Sequence, residues 1–207
     1  MVGRTAPDWF PPRPSTYAYA LGLYLGDGCL YVPARGSPLL QIRLDRSHPE
    51  LITEARRAIA CLLPVSSRVH VYEDRRCFSS CVQASYQHWL EVFPQHGAGR
   101  KHNRPIVLRP WQVVMLERAP QAFLRGLIHS DGCRTVNRFK TKLPSGRTAE
   151  YAYPRYFFSN RSADIRGLFC EYCERLGIRW TQSNPRNISV SHRRSVALLD
   201  SFVGPKR

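Results

Sequence analysis

Two aspartates stand in nearly the same short pattern half a chain apart. Asp27 closes Ala-Leu-Gly-Leu-Tyr-Leu-Gly-Asp-Gly at 20–28, and Asp131 closes Leu-Arg-Gly-Leu-Ile-His-Ser-Asp-Gly at 124–132; a cysteine follows each, Cys29 and Cys133. One Asp-Gly is an ordinary signal for ending a helix, but its return in the same context points to a pair. Two carboxylates at close range repel unless a cation lies between them, and oxygen donors suit a hard divalent ion, most simply Mg²⁺. Beside a nucleic-acid backbone such an ion activates water and stabilises both the attacking and leaving oxygens of a phosphodiester. The chemistry expected is phosphodiester hydrolysis.

Charge sets the class of partner. The 207 residues carry 31 Lys and Arg against 15 Asp and Glu, a formal net charge of +16. A field of that sign draws a polyanion, and since no amphipathic helix collects the charge, nucleic acid is favoured over an acidic membrane. All but four of the cations (Lys101, Lys140, Lys142 and Lys206) are arginine. Arginine suits phosphate and guanine edges, although a GC-rich genome would produce the same bias. No run approaches the ~20 apolar residues of a membrane span, and no signal-peptide core opens the chain, so the cytoplasm is expected, or the nucleoid in a bacterium. The seven cysteines do not read as a disulfide scaffold. Cys170 and Cys173 lie in an expected helix with no second Cys-x-x-Cys and no His pair, so no zinc is expected either.

Something must bring the two acids together. After a proline-rich, irregular segment at 1–14, Ser15 can cap a helix running to about Gly26, in which Gly22 and Gly26 leave one face bare; Gly126 and Ser130 repeat that face in the second copy. A small-x-x-x-small face lets two helix backbones approach closely. Each glycine costs roughly 1 kcal/mol of helix propensity, which packing of one copy on the other would offset.

The surroundings of the motif repeat as well. In the first half, strands at 29–32 and 39–45 form a hairpin, and Leu40, Ile42 and Leu44 alternate with the polar Gln41, Arg43 and Asp45. A helix over 48–62 follows a Ser47/Glu50 capping box; then come strands at 67–72 and 77–84 with a turn at 73–76, and a short helix holding Trp89, Leu90 and Phe93. In the second half, a helix from Pro120 leads to strands at 134–140 and 151–159, whose polar positions include Arg134, Arg138, Lys140 and Arg155. A helix at 163–176, strands at 178–182 and 188–191 and a helix at 193–202 complete it. Gly99-Arg100-Lys101 after the first half matches Gly204-Pro205-Lys206 after the second. The expected class is α+β with two pseudo-symmetric α-β-β-α-β-β-α repeats, 15–94 and 120–207, joined by a linker at 95–119 with a short helix. The molecule is expected to be a monomer with an internal pseudo-twofold, the motif helices paired at its centre.

Both motifs, with this repeat order, resemble the LAGLIDADG homing endonucleases of the single-chain, two-motif type, over nearly the whole chain from about residue 15. The resemblance implies a tight pair of motif helices and two four-stranded sheets forming a saddle on double-stranded DNA. Asp27 and Asp131 would bind Mg²⁺ and each cut one strand, while Gly26 and Ser130 lend backbone carbonyls to the metal. Lys101 and Lys206 match the basic residues near the scissile phosphates. Gln41, Arg43, Asp45, Arg134, Arg138, Lys140 and Arg155 fall on the DNA-binding strands. The chain departs from the pattern at Leu25 and His129, where the family has an earlier aspartate, and at Leu21 and Arg125, where it has alanine; Arg125 implies an unsymmetric interface. Three functions follow: a site-specific endonuclease, a DNA-binding regulator that does not cut, and an RNA-binding splicing factor.

Overall fold

The computed structural model describes residues 13–74, 77–204 and 206. Residues 1–12 of the segment expected to be irregular, and Arg75 and Arg76 of the expected turn, lie outside the described residues. The first half runs α1 (Pro14–Asp27), β1 (Gly28–Tyr31), β2 (Leu39–Asp45), α2 (Pro49–Ala60), β3 (His70–Asp74), β4 (Ser79–Ser85) and α3 (Trp89–Val92). A one-turn 3-10 helix at Lys101–Asn103 and α4 (Pro110–Glu117) lead to α5 (Pro120–Asp131), β5 (Gly132–Lys142), β6 (Thr148–Ser159), α6 (Ala163–Arg175), β7 (Thr181–Asn184), β8 (Asn187–Val190) and α7 (Arg193–Val203). The class is α+β, and each half follows the order α-β-β-α-β-β-α.

Each half builds one antiparallel sheet with the same strand order, β1-β2-β4-β3 and β5-β6-β8-β7. One face of each sheet is buried under helices: Leu40, Ile42 and Leu44 with Val82 and Ala84 in the first, Tyr156 and Phe158 with Ile188 and Val190 in the second. All these side chains join one core around α1, which is buried from Tyr17 to Leu25, as suits a sequence that is hydrophobic on every side. No helix among the described residues is long and apolar enough to cross a membrane.

Several helix starts differ from expectation. Four of the helices, α1, α2, α4 and α5, begin with proline at their first turn, whose missing N–H would have had no partner there. Thus α1 starts at Pro14, with Arg13 rather than Ser15 in the N-cap position and no side chain capping it. Likewise α2 starts at Pro49, so no Ser47/Glu50 capping box forms; Ser47 donates instead to Asp45 Oδ1 from its N–H (2.8 Å) and its hydroxyl (2.7 Å). The expected strand start at Ser67 is a turn, with Ser67 N–H on the Pro64 carbonyl, and β7 begins three residues late, the Ile178 N–H being taken by the Cys173 carbonyl at the end of α6. The largest difference is in β5 and β6, which pair continuously from Gly132↔Phe158 to Lys142↔Thr148, while β8 pairs with β6 only over 156–159. Residues 135–155 therefore form a two-stranded ribbon that projects beyond the four-stranded part.

Candidate metal and nucleic-acid site

The acids meet because two helices touch backbone to backbone. A Cβ built on Gly22 would lie 2.6 Å from the Phe123 carbonyl oxygen and 2.7 Å from Leu127 N, and one on Gly126 would strike the Tyr19 carbonyl. One on Gly26 would come within 2.9 Å of Asp131 Oδ2, so Asp131 lies over the end of the first motif helix. The glycine after each acid has a different reason to be there. Gly28 (φ −90°) and Gly132 (φ −107°) are extended, not left-handed, but a Cβ would press 2.5 Å from Tyr24 Cα and 2.8 Å from Ile128 Cα. Asp-Gly is here a crowding motif rather than a turn. Ser130, the second copy's small residue, turns its hydroxyl back onto the Gly126 (3.1 Å) and Leu127 (3.0 Å) carbonyls.

Both expected lysines reach this spot. Lys101 Nζ donates to the carbonyls of Tyr24 (2.6 Å), Gly26 (2.8 Å) and Gly28 (2.7 Å), and Lys206 Nζ donates to those of Ser130 (3.3 Å) and Gly132 (2.5 Å). Each ammonium thus caps the C-terminal end of a motif helix, where orphan carbonyls and the helix dipole favour a cation. The loop presenting Lys101 is pinned by Arg104, which donates to the carbonyls of Gln95 and Gly99. Gln95 in turn joins a buried chain in which its amide donates to Gln112 Oε1 (2.6 Å) and the Gln112 amide donates to Tyr17 OH (2.6 Å). That glutamine chain ties the linker to α1, and sequence reasoning missed it.

The electrostatics follow from crowding four charges into a partly buried space. Burial, and then the neighbouring Asp131, pushes the Asp27 carboxyl up to about 6 against the pull of Lys206 and Lys101. Burial raises Asp131 too, opposed by a hydrogen bond from Asn160 and by the lysines. The Lys101 ammonium is brought down to about 8 by burial, opposed by Asp131 and Asp27, and Lys206 is lowered for the same reason.

Asn160 is the second residue that sequence reasoning missed: its amide donates to Asp131 Oδ2 at 2.6 Å. The signal was in the repeat. Asn160-Arg161-Ser162 matches Asp45-Arg46-Ser47, and in both triplets the first side chain accepts from the N–H two residues on, at 2.7 and 2.8 Å. Asp131, Asn160, Lys101, Arg100, Arg104 and Arg161 line a cleft of about 440 Å³. An acid beside several cations suits a phosphodiester with a counter-ion. The donor set, two carboxylates and the Gly26 and Ser130 carbonyls, is all oxygen and fits a hard divalent cation. Both carbonyls already accept from ammonium groups, and each keeps a second lone pair.

The strand residues divide in a way that charge alternation did not show. In the first sheet Gln41 and Arg43 lie on the face away from the helices. There the Gln41 amide donates to Gln83 Oε1 (3.4 Å) and Arg43 pairs with Asp74 (3.2 Å); Asp45 shares that face. In the second sheet the register sets Arg134 opposite the buried Tyr156, so Arg134, Arg138 and Lys140 lie on the helix-side face and only Arg155 on the open one. Arg134 clamps Asp200 of α7 (2.7 and 2.9 Å), and Lys140 pairs with Glu150. The expected single polar face is therefore corrected to two faces of a ribbon that is wet on both sides.

His129 and Arg125 make the interface unsymmetric, as Arg125 implied. His129 Nε2 contacts the Val203 carbonyl (2.9 Å), which can only accept, so Nε2 carries the proton and Nδ1 accepts from Tyr19 OH (2.9 Å). Burial, then Arg125, brings this histidine down to about 4, so it is neutral at pH 7. Arg125 donates to the Val203 carbonyl (3.0 Å) and clamps Glu54 of the first repeat. Cys170 and Cys173 are buried on α6 within the core.

No protein-family model matches the sequence, and no curated protein matches it. Solved structures do resemble it. Homing endonuclease I-DmoI in complex with DNA and Mn superposes with a TM-score of 0.58 at 15% identity, over 93% of this chain and 98% of that one. The LAGLIDADG homing endonuclease I-LtrWI bound to target DNA gives 0.58 at 10%, over 92% and 84%. Full-length DUF199/WhiA from Thermatoga maritima gives 0.56 at 16%, over 94% of this chain but 56% of that one. At these identities the likeness is one of fold.

Proposed function

We propose that the protein is a site-specific DNA endonuclease that binds double-stranded DNA across its two sheets and hydrolyses one phosphodiester per strand at the paired acids, with Mg²⁺ as cofactor. The observation that carries this reading is the convergence of two carboxylates and two lysines at the ends of two helices that touch at their glycines. A regulator needs the saddle but not that cluster. Asp27 and Asp131 would hold the divalent cation, with the Gly26 and Ser130 carbonyls beside them. When bound, the cation would supply an activated water and charge stabilisation at the phosphate. The chain's own groups do the rest: Asn160 fixes the orientation of Asp131, and Arg100, Arg104 and Arg161 line the cleft where the backbone would pass. Lys101 and Lys206 stand near enough to share the phosphate's charge.

Binding-site selection from a duplex library, followed by incubation with Mg²⁺ or with EDTA, tests this reading. Selected duplexes should be cut only with the metal, and Asp27→Asn or Asp131→Asn should abolish cutting while binding persists. A second reading is a DNA-binding regulator, favoured by one observation: two ammoniums already balance the two carboxylates and hold the carbonyls a metal would use. Selected sites that are bound tightly yet never cut with Mg²⁺ or Mn²⁺ would establish it.

A further inference from the structure

The two sheets do not offer the same surface. On the open face of the first, the two central strands present Gln41, Gln83 and Arg43, with Tyr31 and Tyr72 on the edge strands. On the open face of the second, the projecting ribbon carries a run of rings. Phe139 lies opposite Tyr151 with ring centroids 5.4 Å apart, and Tyr153 stands 6.0 Å from each of them. Phe139 is 44% exposed and Tyr153 49%, and no helix or loop among the described residues covers them. Arg155 follows on the same face, its guanidinium over Phe157 and its buried Nε lacking an acceptor.

Apolar rings on the open face of a chain with net charge +16 call for a partner that is anionic outside and apolar at one place within. Duplex DNA is such a partner. A two-stranded ribbon fits the major groove, and the one apolar group displayed there is the C5 methyl of thymine. The Arg155 guanidinium, on the same face, would meet a base acceptor or a phosphate oxygen in that groove.

We propose that ribbon β5–β6 enters the major groove with Phe139, Tyr151 and Tyr153 against the bases and selects thymine by its methyl group, so that the target is thymine-rich on the half read by the second repeat. The first repeat, with glutamines and an arginine at the centre of its sheet, reads its half by hydrogen bonds. This inference rests on the DNA-binding reading above.

The test removes methyl groups and nothing else. Duplexes obtained by selection are remade with deoxyuridine for thymidine in one half, then the other, and affinities are measured with EDTA present. Substitution in one half should weaken binding by about fourfold for each methyl contacted, the worth of one buried methyl-sized group, and substitution in the other half should change little. The Phe139→Ala, Tyr153→Ala double variant should no longer distinguish thymine from uracil, with an unchanged circular dichroism spectrum because both rings are exposed. Equal affinity for the two bases in both halves, with duplex binding retained, overturns this inference and leaves the DNA-binding reading standing. Tighter binding to single strands than to the duplex also overturns it, assigning the rings to stacking on unpaired bases. Failure to bind any duplex overturns both.

Discussion

At the scale of single residues the site is a balance of four partly buried charges. Lys101 supplies donors to three carbonyls and half of the positive charge facing two acids. Lys101→Met leaves those carbonyls without a donor and the carboxylates short of a counter-charge. It should cost roughly 2–4 kcal/mol in urea unfolding at pH 7. Lys101→Arg should recover little of that, because a planar fork does not match three carbonyls gathered around one point. The acids make the site pH-sensitive in a definite direction. The Asp27 carboxyl rises from 3.8 to about 6 on folding, so the folded protein holds the proton more tightly. The stability this lends is full below about pH 4 and is lost as pH rises through about 6. In EDTA, the melting temperature should therefore fall between pH 4 and 6.5, and Asp27→Asn should flatten that fall. Mg²⁺ should restore the lost stability more at pH 7 than at pH 5, since below 6 it competes with a proton. A wild-type profile in EDTA that matches the Asn variant would show that folding, through burial and then Asp131, does not raise the Asp27 carboxyl.

At the scale of elements, what could be read beforehand depended on whether burial marked it. The glycine face of the motif helices, the order of elements along the chain and the recurrence of both halves were legible, because apolar periodicity changes wherever an element enters the core. The helix starts were not: Ser15 and Ser47 look like caps, yet Pro14 and Pro49 begin the helices and leave the serines in the first turn or outside it. The ends of β5 and β6 were illegible for a related reason, since beyond the core both faces of the ribbon are wet and no hydrophobic alternation shows which side Arg138 or Lys140 takes. Glycines in helices illustrate the same limit. Gly22 and Gly167 both sit in helix interiors, but a Cβ on Gly22 meets backbone atoms at 2.6–2.8 Å and one on Gly167 meets nothing within 4 Å. Gly167→Ala should thus stabilise the protein by about 0.5–1 kcal/mol through helix propensity. Gly22→Ala should destabilise it by more than the ~1–3 kcal/mol typical of overpacking, because backbone rather than a flexible side chain must yield. Both follow from chemical denaturation, and equal effects would mean that α1 and α5 do not touch as described.

At the scale of the molecule, the pseudo-twofold is broken where the halves meet. Glu54 of the first repeat holds Arg125 of the second, and Arg125 and His129 together hold the Val203 carbonyl at the end of α7. That anchor precedes Lys206, so the second lysine is placed by contacts that the first, on its pinned linker loop, does not share. Over this frame the net charge of +16 acts on a partner as a whole. Many cations are already paired, among them Arg43 with Asp74, Arg134 with Asp200 and Arg175 with Glu171, so attraction falls to those lining the cleft and the open faces. Binding to a selected duplex should accordingly follow counter-ion release. A footprint of about 6–10 phosphates gives a log-log slope of about −0.9 per contact and a loss of about 10³–10⁵ in affinity from 50 to 200 mM salt. Asp27→Asn combined with Asp131→Asn separates this field from the chemistry. It removes two negative charges from the site that the backbone would approach, so it should bind at least as tightly in EDTA, keep the steep slope and not cut. A shallow slope in wild type and variant alike would mean that phosphates are not what this charge is for, and the nucleic-acid reading would fall with it.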